Sequence, residues 1–233
     1  MKRRTRPAPQ RPRPPVKPPP LASGDRLTRA EFERRYQAMP HVIKAELIEG
    51  VVYMPTPVRY ASHGKPHQAI NTWLGTYSAA TPGVETADNA TVRLDLENEV
   101  QPDALLRLVR GGHSRVSKDD YLEGAPELIV EIATSSAAYD LHDKLRAYRR
   151  NGVQEYVVWQ IYDERIDWFE WQEGEYVPLE PDAAGVVHSQ VFPGLWLDVP
   201  ALLADDLSQV LATLQQGLKT EEHAAFAARL AHQ

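Results

Sequence analysis

The stretch APELIVEIATSS, residues 125–136, has the composition of a β-strand that is covered on both faces, with one exception. Leu128, Val130 and Ile132 are the apolar residues that such a strand favours. Glu131 lies in the middle of them. An unpaired carboxylate inside a sheet costs several kcal/mol, so Glu131 must be protonated, paired or bound to a metal ion. The function of the chain depends on which of these applies.

The segments around this strand predict an α/β domain with a central mixed sheet flanked by helices. Residues 101–109 and 154–161 predict two more strands, and residues 136–152 predict a helix that ends at Gly152. The strand, helix and strand in succession predict a right-handed crossover between parallel neighbours. Apolar spacing and turn residues predict the other elements: helices at 27–40 and 63–83, hairpins at 44–57 and 166–179, a strand at 90–96, a loop at 111–124, and two helices after residue 200.

Composition excludes several classes of protein. The chain has no cysteine, which excludes disulfides, thiolate metal sites and cysteine nucleophiles. No apolar run approaches the roughly 18 residues that a membrane-spanning helix requires. The basic N-terminal stretch lacks the apolar middle of a signal peptide, so we expect a cytoplasmic protein without a membrane partner.

Charge and proline divide the chain into three predicted parts: a disordered basic tail at 1–22, a folded domain at 23–200, and a helical extension at 201–233. The first 20 residues hold seven Lys and Arg, and subtracting them from the net charge of −6 leaves about −13 on the rest. An acidic body is not typical of proteins that hold a long duplex by phosphate contacts. The tail either attracts nucleic acid non-specifically or only keeps the protein in solution.

Two carboxylates and one ammonium group define the candidate site. Asp103 begins a predicted strand, Glu131 lies inside the next one, and Lys144 lies on the helix that follows. Carboxylates on adjacent strands repel each other unless a divalent cation lies between them, and hard oxygen ligands suit Mg²⁺ or Mn²⁺. With a nearby ammonium to stabilise developing charge, this pattern predicts a metal-dependent phosphodiester hydrolase. The alternative, that Asp103 is a turn cap and Glu131 pairs with an arginine, stays open at this point.

These motifs resemble the Uma-two family of restriction-endonuclease-like proteins, in the PD-(D/E)xK nuclease superfamily. The resemblance covers residues 25–200 and rests on Pro-Asp at 102–103 and on the stretches 126–136 and 139–161. It implies a restriction-endonuclease-like core with its active site at a splayed edge of the sheet. It also implies a Mg²⁺- or Mn²⁺-dependent endonuclease that acts on nucleic acid, with DNA as the first candidate substrate and RNA as the alternative.

The resemblance assigns residues one by one. Asp103 matches the Asp of the PD motif, Glu131 matches the Glu of (D/E)xK, and Glu49 matches an early acid of the metal site. The pattern departs at Ala133, where the superfamily has its lysine. Lys144 is the expected replacement, because a lysine side chain reaches about 6 Å from its Cα and the following helix packs on the strand.

Other assignments remain as alternatives. His63 and His67 either contact the scissile phosphate or a base, or are solvated histidines of a loop. Because Ala133 replaces the lysine, a catalytically silent relative that binds nucleic acid or a partner protein is the second candidate function. A two-carboxylate glycosidase is disfavoured by the resemblance. The hairpin at 166–179 has aromatic residues on both faces, which predicts a homodimer contact through this hairpin or through the region of Trp196.

Overall fold

The structure, a computed structural model, describes residues 17–54, 59–134 and 139–232. Residues 1–16, which form most of the predicted tail, lie outside the described residues, and so do 135–138 at the start of the helix predicted at 136–152. Leu21, at the end of the predicted tail, is buried and belongs to a small core with Phe32, so the folded part begins before residue 23. None of the helices in the described ranges is long and apolar enough to cross a membrane.

The described chain contains short strands and six α-helices, some of them entered through a π-helical turn. The strands are β1 (Glu46–Ile48), β2 (Val51–Tyr53), β3 (Val84–Asp88), β4 (Val92–Arg93), β5 (Glu99–Val100), β6 (Ala104–Leu108), β7 (Arg115–Val116), β8 (Leu122–Glu123), β9 (Leu128–Ala133), β10 (Glu155–Gln160), β11 (Arg165–Gln172), β12 (Glu175–Pro178), β13 (Val186–His188) and β14 (Trp196–Asp198). The helices are α1 (Arg29–Gln37), α2 (Lys65–Ala80), α3 (Leu145–Asn151), α4 (Val199–Leu203), α5 (Leu207–Gly217) and α6 (Glu221–Ala231). The π-helical turns Tyr60–Gly64 and Tyr139–Lys144 lead into α2 and α3.

Two six-stranded mixed sheets form the framework. The first sheet has the order β2-β1-β5-β4-β8-β7, and the second has the order β12-β11-β10-β9-β6-β3. Strands β13 and β14 form a separate pair. The predicted α/β class with mixed strands and flanking helices is confirmed, but the strands divide between two large sheets where the sequence predicted one.

The second sheet is covered on both faces, which makes it the centre of the fold. On one face, a core cluster joins α2, the sheet and α5 through residues such as Trp73, Val130 and Leu214. On the other face, a second cluster joins Ile129 and Tyr148 with apolar residues of the first sheet. The helices after residue 200 therefore pack on the same core as the sheet.

Strand β9 lies in the interior of this sheet, and all six of its residues are buried. It pairs in parallel with β10, as the predicted crossover requires, and antiparallel with β6. Side chains alternate along a strand, so Leu128, Val130 and Ile132 enter the cluster with α2 while Ile129 and Ala133 enter the other. Glu131 therefore points toward α3 and the first sheet.

The sequence prediction missed or misplaced strands that are very short or rich in polar residues. The strand predicted at 90–96 is reduced to the two residues of β4, and β3 was missed. Strand β3 lies at the edge of the sheet and carries the polar residues Glu85 and Asp88, which hide the apolar pattern. The predicted loop at 111–124 contains β7 and β8, whose two-residue pairings are too short to produce a period of two.

The aromatic residues of the hairpin β11–β12 are mostly packed inside the molecule. Trp168 is buried in the core, and the rings of Phe169 and Tyr176 stack on Tyr156, with centroids 6.5 and 6.1 Å from it. Trp171 remains 37% exposed. Most aromatic side chains of this hairpin are therefore covered within the chain, by Trp73 in the core or by Tyr156 on the neighbouring strand, and the homodimer contact stays a prediction.

Glu155, the first residue of β10, anchors the chain between the hairpin and α4. Its fully buried carboxylate accepts hydrogen bonds from the Ser189 hydroxyl (2.7 Å) and from the backbone N–H groups of Gln190 (2.7 Å) and Val191 (3.2 Å). Burial raises the pKa of Glu155 to about 7, although these hydrogen bonds oppose the rise.

This raised pKa predicts a pH-dependent stability. The stability contributed by neutral Glu155 is fully present below about pH 4.5 and is lost as the pH rises through 7, which amounts to about 3 kcal/mol. In Glu155→Gln the free energy of unfolding should fall less between pH 5 and pH 8 than in the wild type. Denaturant unfolding at both pH values measures this, with Glu173→Gln at the exposed turn as the control. Equal pH slopes in wild type and Glu155→Gln would contradict it.

Candidate active site

The structure brings Asp103 and Glu131 together. Asp103 immediately precedes β6, and the antiparallel register that pairs Ala104 with Val130 sets Asp103 opposite Glu131. The two strands are also joined at this point, because Asp103 Oδ2 accepts the N–H of Ile132 at 2.8 Å. Both carboxylates are almost completely buried. The pair is held by backbone pairing, so its geometry does not depend on flexible side chains alone.

Lys144 reaches this pair from the helical side. Its Nζ donates to Glu131 Oε1 at 2.8 Å and lies 3.7 Å from Asp140 Oδ1, one turn earlier. Lys144 ends the π-helical turn that precedes α3, and Ala133 lies two residues after Glu131 on the same face of β9. If position 133 were a lysine, its side chain would therefore approach Glu131 from the same side as Lys144 does. Tyr148 adds a hydroxyl that donates to Glu131 Oε1 at 2.8 Å.

The early acid in this cluster is Glu46, and Glu49 lies elsewhere. Glu46 begins β1, is buried, and has Oε1 at 3.3 Å from Lys144 Nζ. Glu49 occupies the hairpin turn with a φ of 51°, and its carboxylate pairs with Arg150 at 3.0 Å. Glu46 lies within β1, whereas Glu49 lies after the end of that strand in the left-handed conformation of the turn, which explains the difference. The signal for Glu46 was available, since an acid in the buried run AELI raises the same question as Glu131. We refer below to Glu46, Asp103, Glu131 and Asp140 as the acid cluster.

Both predicted histidines lie beside Asp103. His63 Nε2 is 3.2 Å from Asp103 Oδ2. His67 Nε2 is 2.6 Å from the carbonyl oxygen of Asp103 and 2.9 Å from Asp88 Oδ1. The two imidazole rings meet edge to face with centroids 5.5 Å apart. His63 in the π-helical turn and His67 in the first turn of α2 thus both contact Asp103, and neither histidine is a freely solvated loop residue.

The two carboxylates of the pair have opposite pKa shifts. Burial alone would raise the pKa of Asp103, but the hydrogen bond to His63 and the charge of Lys44 lower it to about 2. Burial raises the pKa of Glu131 to about 8; Lys144 opposes this rise, and the neighbouring carboxylates add to it. The same carboxylates hold the pKa of Lys144 well above its usual range despite its burial. At neutral pH Asp103 is a carboxylate and Lys144 is an ammonium.

The donor atoms of the pair fit a hard divalent cation. Asp103 and Glu131 offer carboxylate oxygens from adjacent strands, and Mg²⁺ sites commonly use one or two carboxylates with waters and substrate phosphates. Across the described ranges, no group of three or more His, Cys, Asp or Glu side chains is arranged to hold a metal ion. Asp103 and Glu131 would supply two ligands to such an ion, and water and substrate oxygens would supply the others.

Comparison with models of known protein families identifies the family of this chain. The family model described as "Uma2: Putative restriction endonuclease" matches residues 29–200. The chain belongs to the Uma2 family. This membership supports a nuclease function in general terms, and with it nucleic acid as the class of substrate. The resemblance stated from the sequence is confirmed.

A solved structure shows the same fold. The chain is similar to "a putative nuclease belonging to DUF820" from Anabaena variabilis, with a TM-score of 0.53, 13% identity, and coverage of 77% of this chain and 97% of that chain. At such an identity the likeness shows the fold and no more. No curated protein matches the chain.

The buried ion pair predicts a large loss of stability when its cation is removed. Lys144→Met should lower the free energy of unfolding by about 3–5 kcal/mol, because the acid cluster loses its counter-charge. Lys65→Met is the matched control, since Lys65 pairs with Asp205 at the exposed surface and its removal should change stability little. Denaturant unfolding in the presence of EDTA measures both. Equal losses in the two variants would contradict the prediction.

Proposed function

We propose that the chain is a divalent-metal-dependent endonuclease that hydrolyses phosphodiester bonds of nucleic acid, with DNA as the first candidate substrate and RNA as the second. The observation that carries the proposal is the pair Asp103 and Glu131, two buried carboxylates set opposite each other on adjacent strands. Two buried acids side by side destabilise a fold, so a fold that contains them has a use for them. The family membership supports the same reaction class.

Each residue has a distinct role in this proposal. Asp103 and Glu131 hold a Mg²⁺ or Mn²⁺ ion, with Glu46 as the third carboxylate near them. When bound, such an ion supplies Lewis-acid stabilisation of the phosphoryl oxygens and a water of lowered pKa. Lys144 sets the charge and orientation of Glu131 through its 2.8 Å contact. His63, hydrogen-bonded to Asp103, is placed to contact the phosphate or accept a proton.

A catalytically silent relative that binds nucleic acid or a partner protein is the second candidate. The observation that favours it is the position of Lys144, whose ammonium already neutralises Glu131, Glu46 and Asp140. In such a protein the ion pairs would take the place of the metal ion. We further propose that the protein acts in the cytoplasm, as expected for a nuclease whose sequence has no cysteine.

The decisive measurement combines metal binding and cleavage. We expect wild type to bind Mn²⁺ by calorimetry and to cut plasmid DNA, single-stranded DNA or RNA when Mn²⁺ is present. Asp103→Ala should lose Mn²⁺ binding and at least about a hundredfold in rate, because metal assistance is worth several kcal/mol. Equal Mn²⁺ binding by the two proteins would exclude this metal site. Wild-type protein that binds oligonucleotides without cutting them would favour the silent relative.

Two glutamates of the same hairpin provide a matched pair of variants. Glu46→Gln should reduce metal affinity or cleavage by about 10- to 100-fold, because Glu46 lies beside Lys144 in the acid cluster. Glu49→Gln should leave both unchanged, because Glu49 pairs with Arg150 at the turn. If Glu49→Gln reduced metal affinity or cleavage and Glu46→Gln did not, Glu49 would be the early acid of the metal site, as the resemblance implied.

We also propose a homodimer formed along the hairpin β11–β12. Strand β12 is the edge of its sheet, with backbone groups available for pairing, and Trp171 and Val177 are partly exposed there. Sedimentation velocity should then show a dimer that Val177→Lys weakens, because a lysine on an edge strand opposes pairing with a second chain. A monomer over a wide range of concentrations would reject this assembly.

A further inference from the structure

A second lysine lies next to the carboxylate pair and has no role in the mechanism above. Lys44, two residues before Glu46, has its Nζ 3.9 Å from Asp103 Oδ1. Lys144 contacts Glu131, the other carboxylate of the pair. The two ammonium groups therefore flank the two carboxylates, one for each acid.

The two lysines differ in their access to a ligand. The side chain of Lys144 is 7% exposed, and its Nζ lies within 4 Å of Glu131, Glu46 and Asp140. The side chain of Lys44 is 24% exposed. A phosphate group arriving from solvent can therefore reach Lys44, whereas Lys144 is enclosed by carboxylates that would repel it.

The position of Lys44 is fixed relative to Asp103. Its Nζ donates to Asn89 Oδ1 at 3.1 Å, and the backbone N–H of Asn89 donates to the carbonyl oxygen of Asp103 at 3.3 Å. Asn89 adopts a left-handed conformation with a φ of 50°, and its side-chain amide donates to Asp88, which also contacts His67. An ammonium has three N–H donors. In the described part of the chain, one of those of Lys44 donates to a side chain, that of Asn89, so the others can bind a ligand.

We propose that Lys44 is a phosphate-binding residue of this site, whose ammonium contacts a non-bridging oxygen of the substrate phosphodiester beside Asp103. The proposal rests on the proposed nuclease function and names a contact that the Asp103–Glu131–Lys144 pattern does not include. It also answers an electrostatic problem, because the folded body is strongly acidic and the acid cluster repels phosphate. The partly exposed ammonium of Lys44 beside Asp103 offsets this repulsion, because it can donate a charge-assisted hydrogen bond to the phosphate.

The test compares Lys44→Met and Lys44→Arg with Lys219→Met, which removes the same charge from an exposed position between α5 and α6. Cleavage of a fluorescent oligonucleotide in Mn²⁺ gives kcat and KM, and anisotropy titrations in Ca²⁺ at several salt concentrations give affinity without turnover. Mn²⁺ calorimetry shows whether the metal site is intact. These readouts separate a phosphate contact from a merely structural lysine.

We expect Lys44→Met to lose about 10- to 100-fold in kcat/KM, the effect of one hydrogen bond to a charged group, while Mn²⁺ binding stays unchanged. The slope of the logarithm of oligonucleotide affinity against the logarithm of salt concentration should become shallower, by the amount that corresponds to about one phosphate contact. Lys44→Arg should recover most of the affinity, because it restores the charge and the donors. Lys219→Met should match the wild type.

Wild-type rates and an unchanged salt dependence in Lys44→Met would overturn the proposal and leave the nuclease function intact. Wild-type protein that neither binds nor cuts nucleic acid would overturn the nuclease function and this proposal together. If Lys44→Met fails to fold, Lys44→Gln keeps a donor for Asn89 and decides the question by the same criteria.

Discussion

The contact between Lys144 and Glu131 is the interaction on which the rest of the structure depends. Glu131 lies in a strand that is buried on both faces, and an ionised carboxylate is tolerated there only with a counter-charge and hydrogen bonds. Lys144 supplies the charge and Tyr148 supplies a further donor, both from the helical segment that follows β9. The crossover from β9 to β10 is thereby both a packing unit and the support of the candidate site.

Two other buried glutamates show why Glu131 is unusual. Glu127 accepts the backbone N–H groups of Leu108 and His113, and Glu155 accepts two backbone N–H groups and a serine hydroxyl. Such carboxylates hold loops in place and have no need of an ion. The contacts of Glu131 described here come from ionisable side chains, Lys144 and Tyr148. A carboxylate held by side chains can exchange its partners, which is what a binding or catalytic site requires.

Much of this arrangement could be predicted from the sequence, for identifiable reasons. The run of apolar residues around Glu131 is long enough to specify a buried strand, and the helix after it places Lys144 within reach of that strand. The motif led to Glu49, although the buried run AELI was a signal for Glu46; Glu49 lies in the turn that follows β1, where its carboxylate pairs with Arg150. The division into two sheets was missed because strands of two residues, such as β4, carry no periodic signal. The position of Lys44 next to Asp103 depends on pairing between distant segments, which one sequence does not reveal.

The residues around the acid cluster are scattered along the chain, and this has a consequence for synthesis of the protein. Lys44, His63, Asp103 and Lys144 come from four separate segments, and the helix that carries the histidines packs against α5, near residue 217. Contacts between such distant segments form late in folding, because long loops must close first. A chain still emerging from the ribosome therefore lacks an assembled site. The contacts between α2 and α5 in the folded protein therefore form only after the sequence as far as α5 has been translated.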